Sequence, residues 1–125
     1  MLVLDAGAFI ALERNERAMW RRLKATLIEG EPPMTHGGVV GQVWRGGTGR
    51  QVQIARTLQA VDTVPLDLHL GQQAGVLLAG ANASDAIDAA LVALVRNGDR
   101  IATSDPNDIA ELVAAAGVLV DVIAV

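Results

Sequence analysis

The chain of 125 residues has no cysteine and no tyrosine, and it has few aromatic residues of any kind. The missing cysteines exclude disulfides and thiolate metal sites, so the protein is compatible with a reducing compartment. With only Phe9, Trp20 and Trp44 as aromatic residues, the hydrophobic core must be built from Val, Leu, Ile and Ala. At this length we expect one domain, residues 1–125, with a core of its own.

Targeting and membrane-spanning segments are also missing. The apolar start, MLVLDAGAFIAL, has no basic stretch before it and carries an acidic residue at Asp5, which argues against a signal peptide. Asp or Arg interrupts every apolar run before it reaches the length of a membrane span. We therefore predict a cytoplasmic protein.

The two halves of the chain carry opposite charge. Residues 1–60 contain eight Lys or Arg and five Asp or Glu, whereas residues 61–125 contain two and nine, giving the net charge of −4. A negative total argues against binding nucleic acid through net charge alone. A basic region facing a cluster of carboxylates would still suit an enzyme that cuts nucleic acid with metal ions. For any single Arg, a solvated helix face is the alternative.

Short apolar runs alternate with longer segments of helical periodicity. The short runs predict strands at Leu2–Leu4, at Met34 and Thr35, up to Val64, at Arg100–Thr103 and at Val118–Val125. The longer segments predict helices at about 8–14, 20–30, 39–45, 51–60, 68–79 and 83–98, and one that starts at Pro106. This alternation is typical of an α/β domain with a mainly parallel sheet and helices on both faces.

Two Asp residues lie at the carboxyl ends of predicted strands. Asp5 closes the first strand, and Asp105 follows the strand that ends at Thr103. Parallel α/β sheets bind ligands outside the carboxyl ends of their strands, so both carboxylates are predicted at one edge of the sheet. Asp88 lies at the border of the apolar arc of a helix that starts near Ser84, where its side chain can reach this edge. Asp85, further round, is expected to support the site or face water.

Helix capping is a competing explanation for some of these carboxylates. Asp105 before Pro106 has the sequence of a helix cap, with Asp108 as the reciprocal capping acid. The dipole at a helix amino terminus also favours Asp85 and, in part, Asp88. Asp5 needs another explanation, because a carboxylate buried after a hydrophobic strand is costly unless its charge is compensated. Mg²⁺ or Mn²⁺ would compensate it.

Four stretches in this order resemble the PIN-domain ribonucleases, in particular the VapC-type toxins of bacterial toxin–antitoxin pairs. They are LVLDAGAFIAL at 2–12, GQVWRGG at 41–47, SDAIDAALVAL at 84–94 and IATSDPNDI at 101–109. The resemblance covers nearly the whole chain and implies a PIN-like fold, an RNA substrate, a small antitoxin encoded alongside and a homodimer. It also implies that Asp5, Asp88 and Asp105 bind one or two divalent ions, with Thr103 or Ser104 as a nearby hydroxyl.

The chain departs from the family at Gln42, where many PIN domains have a Glu. Gln42 keeps an oxygen but lacks the negative charge, which weakens the expected hold on a metal ion. The activity implied by the resemblance is hydrolysis of RNA phosphodiester bonds, in which metal ions lower the pKa of a bound water. A catalytically silent relative that only binds a partner protein is the alternative that Gln42 keeps open.

Other motifs carry less information. His36 and His69 have no metal-ligand spacing, and we interpret His36 as a loop residue without a role. The segment 46–50 lacks the Lys and the following Ser or Thr of a phosphate-binding P-loop. A phosphate-accepting receiver domain shares the parallel α/β architecture but needs a Lys after a late strand. The only lysine is Lys24, early in a helix, so this alternative is disfavoured.

Overall fold

The computed structural model describes residues 1–125 and contains one sheet of five strands. The strands are β1 (Leu2–Leu4), β2 (Met34–His36), β3 (Asp62–Val64), β4 (Arg100–Thr103) and β5 (Asp121–Ala124). They are hydrogen-bonded in the order β3-β2-β1-β4-β5, and all four pairs are parallel. The predicted α/β fold is therefore confirmed, and the sheet is parallel throughout rather than mainly parallel.

Seven α-helices connect the strands. They are α1 (Ala6–Glu13), α2 (Arg17–Ile28), α3 (Gly37–Val43), α4 (Val52–Ala60), α5 (Leu68–Ala81), α6 (Ala86–Leu94) and α7 (Pro106–Ala116), with a short 3₁₀ helix at Gly49–Gln51. Right-handed crossovers place α1–α4 on one face of the sheet, because the chain moves from β1 towards β3 there. The return to β4 and β5 places α5–α7 on the other face. The prediction of helices on both faces is confirmed.

Several predicted boundaries were too wide. The helix expected over 83–98 is α6, which begins only after Asp85 and ends at Leu94. The last strand, expected from Val118, begins at Asp121, because α7 ends in the left-handed residue Gly117 and the following segment is not paired. Turn and cap residues override apolar periodicity at helix ends, which periodicity alone does not reveal.

The core is one cluster of 24 buried hydrophobic residues, and it is almost entirely aliphatic. The three residues of β1 are fully buried, because this strand is central in the sheet and covered by helices on both sides. Phe9, the only phenylalanine, is also fully buried. No single helix is long and apolar enough to cross a membrane, and one bent pair, α5 with α6, meets that test by length and composition only.

The direction of the chain across the sheet reverses between β1 and β4. From β1 the chain continues to β2 and β3 on one side, and then crosses back to β4 and β5 on the other. Such a switch point leaves a crevice outside the carboxyl ends of the two strands, where open α/β sheets bind ligands. Asp5 follows β1 and Asp105 follows β4 after Ser104. The strand order also differs from the 2-1-3-4-5 order of receiver domains, so that alternative is wrong.

Candidate metal-binding active site

Asp5 lies directly after β1 and its side chain is only 4% exposed. One carboxylate oxygen accepts the backbone N–H of Ala8 at 2.9 Å, which caps α1, and the other accepts the N–H of Ser104 at 3.2 Å. Burial raises the pKa of Asp5, and the hydroxyl of Thr103 and the two backbone N–H groups oppose that rise. Hydrogen bonds therefore offset part of the cost of burying this charge, for which only a cation was considered from the sequence.

A close approach at Gly7 brings the first turn of α1 against the end of β4. A Cβ atom at Gly7 would collide with the side chain of Ser104 and lie 2.9 Å from its backbone nitrogen. No residue with a side chain fits there unless one of the two segments moves. Glycine at this position thus allows the hydrogen bond between Asp5 and Ser104, and it sets the spacing between β1 and β4 at the edge where the acids meet.

Asp105 does not have the capping role that its sequence indicates. It occupies the cap position of α7, but its side chain makes no capping hydrogen bond, and its φ of −121° and ψ of 63° lie outside the extended region typical of capping residues. Its backbone N–H donates instead to the Thr103 hydroxyl at 2.9 Å. The side chain of Asp108, exposed in the first turn of α7, makes no hydrogen bond either. The capping interpretation was therefore wrong for both residues, and both carboxylates are free.

Asp88 carries the largest electrostatic perturbation in the chain. It lies half-buried in the first turn of α6, and its pKa is raised to about 7, first by burial and then by the charges of neighbouring carboxylates. Those neighbours are Asp85, Asp5, Asp105 and Asp108. Asp85 caps α6 by accepting the N–H groups of Ile87 and Asp88 at 2.9 and 3.0 Å, so the capping interpretation holds there.

No basic side chain compensates this group of acids. The only ion pairs in the protein are made by the amino-terminal NH₃⁺ of Met1, with Asp99 at 2.9 Å and with Glu31 at 3.7 Å. None of the ten Lys and Arg side chains lies within ion-pairing distance of a carboxylate. The edge that carries Asp5, Asp88 and Asp105 is therefore an uncompensated negative region, although the whole chain has a net charge of only −4.

All of these carboxylates except Asp5 line two clefts that share one residue. The first, of about 230 Å³, is formed by residues 104–108, and the second, of about 190 Å³, contains Asp88, Asp85 and Glu111; Asp108 lines both. As the side chains stand, no group of three or more His, Cys, Asp or Glu residues is arranged to hold a metal ion. The side chains of Asp88 and Asp105 make no hydrogen bonds and can rotate, whereas Asp5 is fixed. Carboxylate oxygens are the donors that Mg²⁺ and Mn²⁺ prefer, so the chemistry of the donor set fits such an ion.

One predicted supporting residue is not brought into the site by any observed contact. Gln42 is exposed on α3, and its side chain makes no hydrogen bond within the chain. Its supporting role therefore stays a prediction.

His36 is a further residue beside these acids, and its role was not predicted from the sequence. It was interpreted as a loop residue without a role, but it is the last residue of β2 and is fully buried. Its Nε2 atom is 2.9 Å from the carbonyl oxygen of Ile87, and its Nδ1 atom accepts the N–H of Gly38 at 3.1 Å. Burial lowers the pKa of His36, and the hydrogen bond to Ile87 opposes that change. The only signal in the sequence was the position of His36 next to a predicted strand. Its hydrogen-bond partner, Ile87, lies 51 residues away, so the contact itself left no local pattern.

The raised pKa of Asp88 predicts how stability changes with pH in the metal-free protein. Between pH 4 and 7 this carboxyl keeps a proton in the folded state that it has lost in the unfolded state, so its contribution to the free energy of unfolding falls as the pH rises. Asp88→Asn removes the charge, and we expect it to be more stable than wild type by about 1–2 kcal/mol at pH 8, after discounting for solvent screening, and nearly equal at pH 4. Urea unfolding at both pH values checks this. Glu29→Gln, at an exposed carboxylate, is the control; a difference independent of pH would contradict the prediction.

Comparison with known proteins agrees with this architecture. No family model matches the sequence, and no curated protein matches it significantly. In fold, the chain is similar to the crystal structure of VapBC2 from Rickettsia felis bound to a DNA fragment from their promoter, with a TM-score of 0.68, 11% identity and 97% of each chain covered. It is also similar to FitAB bound to the IR36 DNA fragment, with a TM-score of 0.65, 17% identity, and 98% of this chain and 94% of the other covered. The resemblance to VapC-type proteins is therefore confirmed at the level of the fold, and the chain has a PIN-like α/β fold.

Proposed function

We propose that the protein is a metal-dependent endoribonuclease that acts as the toxin of a toxin–antitoxin pair. The observation that carries the proposal is the meeting of Asp5, Asp88 and Asp105 at the switch point of the sheet without any compensating cationic side chain. A purely structural arrangement gains nothing from raising the pKa of Asp88 to about 7. Perturbed carboxylates in a cleft at a sheet edge are typical of a functional site.

The residues divide into an ordered part and a movable part. Asp5 is held by hydrogen bonds from Ala8 and Ser104, so it offers a fixed position for the ion. Asp88 and Asp105 have free carboxylates and would rotate towards it. We propose Thr103, Ser104 and Asp85 as supporting residues, because they hold the backbone or side chains of the three acids. Asp108 supports the site as the residue shared by both clefts.

Mg²⁺ or Mn²⁺, when bound, would lower the pKa of a water molecule and stabilise the negative charge that develops on the scissile phosphate. The protein's own contribution is to hold the three carboxylates, and to keep basic side chains away from them so that they stay available to the ion. Arg residues from the first half of the chain are proposed to contact the RNA backbone, because a planar guanidinium suits phosphate oxygens. We also propose a cytoplasmic location, as expected from the sequence.

Replacing the acids one at a time tests the activity. We expect Asp5→Asn, Asp88→Asn and Asp105→Asn each to reduce Mg²⁺-dependent cleavage of a structured RNA by at least about a hundredfold, because each removes a charge needed in the transition state. Asn preserves size and the cap of α1. Asp121→Asn is the matched control, since Asp121 is exposed at the amino end of β5, on the opposite edge of the sheet. Full activity in all three variants would refute the nuclease proposal.

Gln42 distinguishes an active enzyme from a catalytically silent relative. If Gln42 faces the ion, Gln42→Glu adds an attractive charge, and we expect Mn²⁺ affinity to rise by about three- to tenfold, with part of the gain lost to screening and to contact through water. Calorimetry on wild type, Gln42→Glu and Gln42→Ala measures this. Equal affinities in all three would show that Gln42 lies outside the site. Absence of any binding in wild type would favour the silent, partner-binding alternative.

A protein partner is the second part of the proposal. The similar structures are VapBC2 and FitAB, each in complex with DNA, and the present chain exposes large apolar side chains for a partner to cover. These are Ile28, Leu68, Val76 and Leu119, each more than 70% exposed. We propose a small antitoxin, with an Arg that reaches the free carboxylates, and a homodimer of the present chain.

Co-expression with the small protein encoded beside this chain tests the partnership. We expect a stable heteromeric complex by size-exclusion chromatography with light scattering, with two copies of this chain. Asp105→Ala should weaken the complex, because it removes a charge that the partner's Arg would meet. A monomer that captures no neighbouring gene product would contradict the proposed partnership and leave the nuclease proposal to the cleavage assay.

A further inference from the structure

We propose that Thr35 and His36, the last two residues of β2, are positioning residues. Together they hold in place two acids of the site, Asp5 after β1 and Asp88 in α6. This inference rests on the proposed function, because the acids are those of the proposed metal site. Neither residue is placed to touch a metal ion or a substrate by any contact in the structure. Each instead binds the backbone carbonyl of the residue immediately before an acid.

Thr35 fixes the backbone before Asp5. Its hydroxyl is fully buried and donates to the carbonyl oxygen of Leu4 at 2.9 Å. Leu4 is the last residue of β1, so this side-chain bond adds to the main-chain pairing of β1 with β2, whose register joins Val3 to Met34. The carbonyl that precedes Asp5 is therefore held from the neighbouring strand, at the point where the chain turns from β1 into α1.

His36 fixes the backbone before Asp88. Because Nδ1 accepts the N–H of Gly38, the ring hydrogen of the neutral imidazole must be on Nε2, which then donates to the carbonyl of Ile87. This bond joins β2 to the first turn of α6. Packing is tight around it: a Cβ atom at Gly38 would lie 2.6 Å from Cδ1 of Ile87 and 2.8 Å from Cε1 of His36. The ring, the start of α3 and the start of α6 are thus locked together.

The two bonds come from adjacent residues of β2 and reach the two segments that carry Asp5 and Asp88. The relative position of these segments decides whether a single ion can bind both acids. Side chains of neighbouring strand residues point to opposite faces of the sheet, so Thr35 and His36 reach different segments. Only buried, neutral donors can do this without adding charge to the site. Mutation of residues that orient metal ligands without binding the ion typically lowers metal affinity by about 10–100-fold.

Two matched substitutions of His36 separate its two hydrogen bonds. Glutamine places an amide nitrogen near the position of Nε2 and can keep the bond to Ile87, whereas asparagine places an oxygen near Nδ1 and can keep only the bond to Gly38. We expect Mn²⁺ affinity, measured by calorimetry, to fall at least about tenfold in His36→Asn and to stay within about threefold of wild type in His36→Gln. Thr35→Val should weaken affinity like His36→Asn, and Thr35→Ser should restore it.

Hydrogen exchange in the metal-free protein provides the readout that does not depend on the ion. We expect the amides of Asp88 and Ala89 to exchange at least about tenfold faster in His36→Asn than in His36→Gln, because the first turn of α6 loses its anchor. Thr26→Val is the control for general destabilisation, since the buried Thr26 hydroxyl donates within α2 to the carbonyl of Arg22. It should change neither affinity nor exchange at α6.

The outcomes separate this inference from the proposed function. A wild-type protein that binds no Mn²⁺ refutes the metal site, and the exchange rates then decide the positioning role alone. Equal affinity and equal exchange in His36→Asn and His36→Gln overturn the positioning role and leave the metal site standing. If the His36 variants do not fold, ¹⁵N spectra of the wild-type ring decide: protonated Nε2 with unprotonated Nδ1 supports the proposal, and the opposite tautomer overturns it.

Discussion

The burial of carboxylates close to one another at one edge of the sheet is the constraint on which the rest of the structure depends. Four carboxylates act on Asp88, and no Lys or Arg side chain pairs with any of them. Bringing like charges together costs free energy that the fold must supply from elsewhere. That free energy comes from burial of the aliphatic core, a cluster of 24 residues around a central strand. Under the proposed function, a bound cation would relieve this repulsion.

The structure reduces that cost with neutral hydrogen bonds rather than with opposite charges. Asp5 receives two backbone N–H groups and lies beside the Thr103 hydroxyl, and Asp85 is occupied in capping α6. Neutral donors stabilise a carboxylate without occupying all its lone pairs, so the oxygen atoms can still serve a metal ion. An Arg in the same place would have lowered the pKa of Asp88 and blocked the site. This difference explains how the edge can be both stable and available.

Much of the fold could be predicted from the sequence, because alternating short apolar runs and helical segments determine a parallel sheet with few alternatives. The placement of Asp5 and Asp105 at one edge followed from that topology. The local roles did not follow. Asp105 has the sequence of a cap and is free, whereas Asp5, for which no capping role was predicted, caps α1. These assignments depend on backbone angles and on the close approach at Gly7, neither of which the sequence displays.

The contacts of His36 and Ile87 were beyond sequence reasoning for another reason. They join residues 51 positions apart, and His36 lies outside the four stretches that resemble the PIN-domain family. A buried histidine and a loop histidine look the same when no pattern of neighbours distinguishes them. Gln42 shows the converse case, in which a motif identifies the residue but no contact in the structure assigns it a role.

The central claim is that the uncompensated acids form a site for a divalent cation. Titration calorimetry with Mn²⁺ at pH 6.5, repeated in buffers of different ionisation enthalpy, tests it most directly, because it measures binding and proton release together. With the pKa of Asp88 at about 7, the carboxyl is mostly protonated at this pH and must lose its proton to bind the ion. The account predicts that wild type binds Mn²⁺ and releases most of one proton, and that Asp88→Asn releases almost none. No binding by wild type, or binding with the same proton release in both proteins, would contradict it.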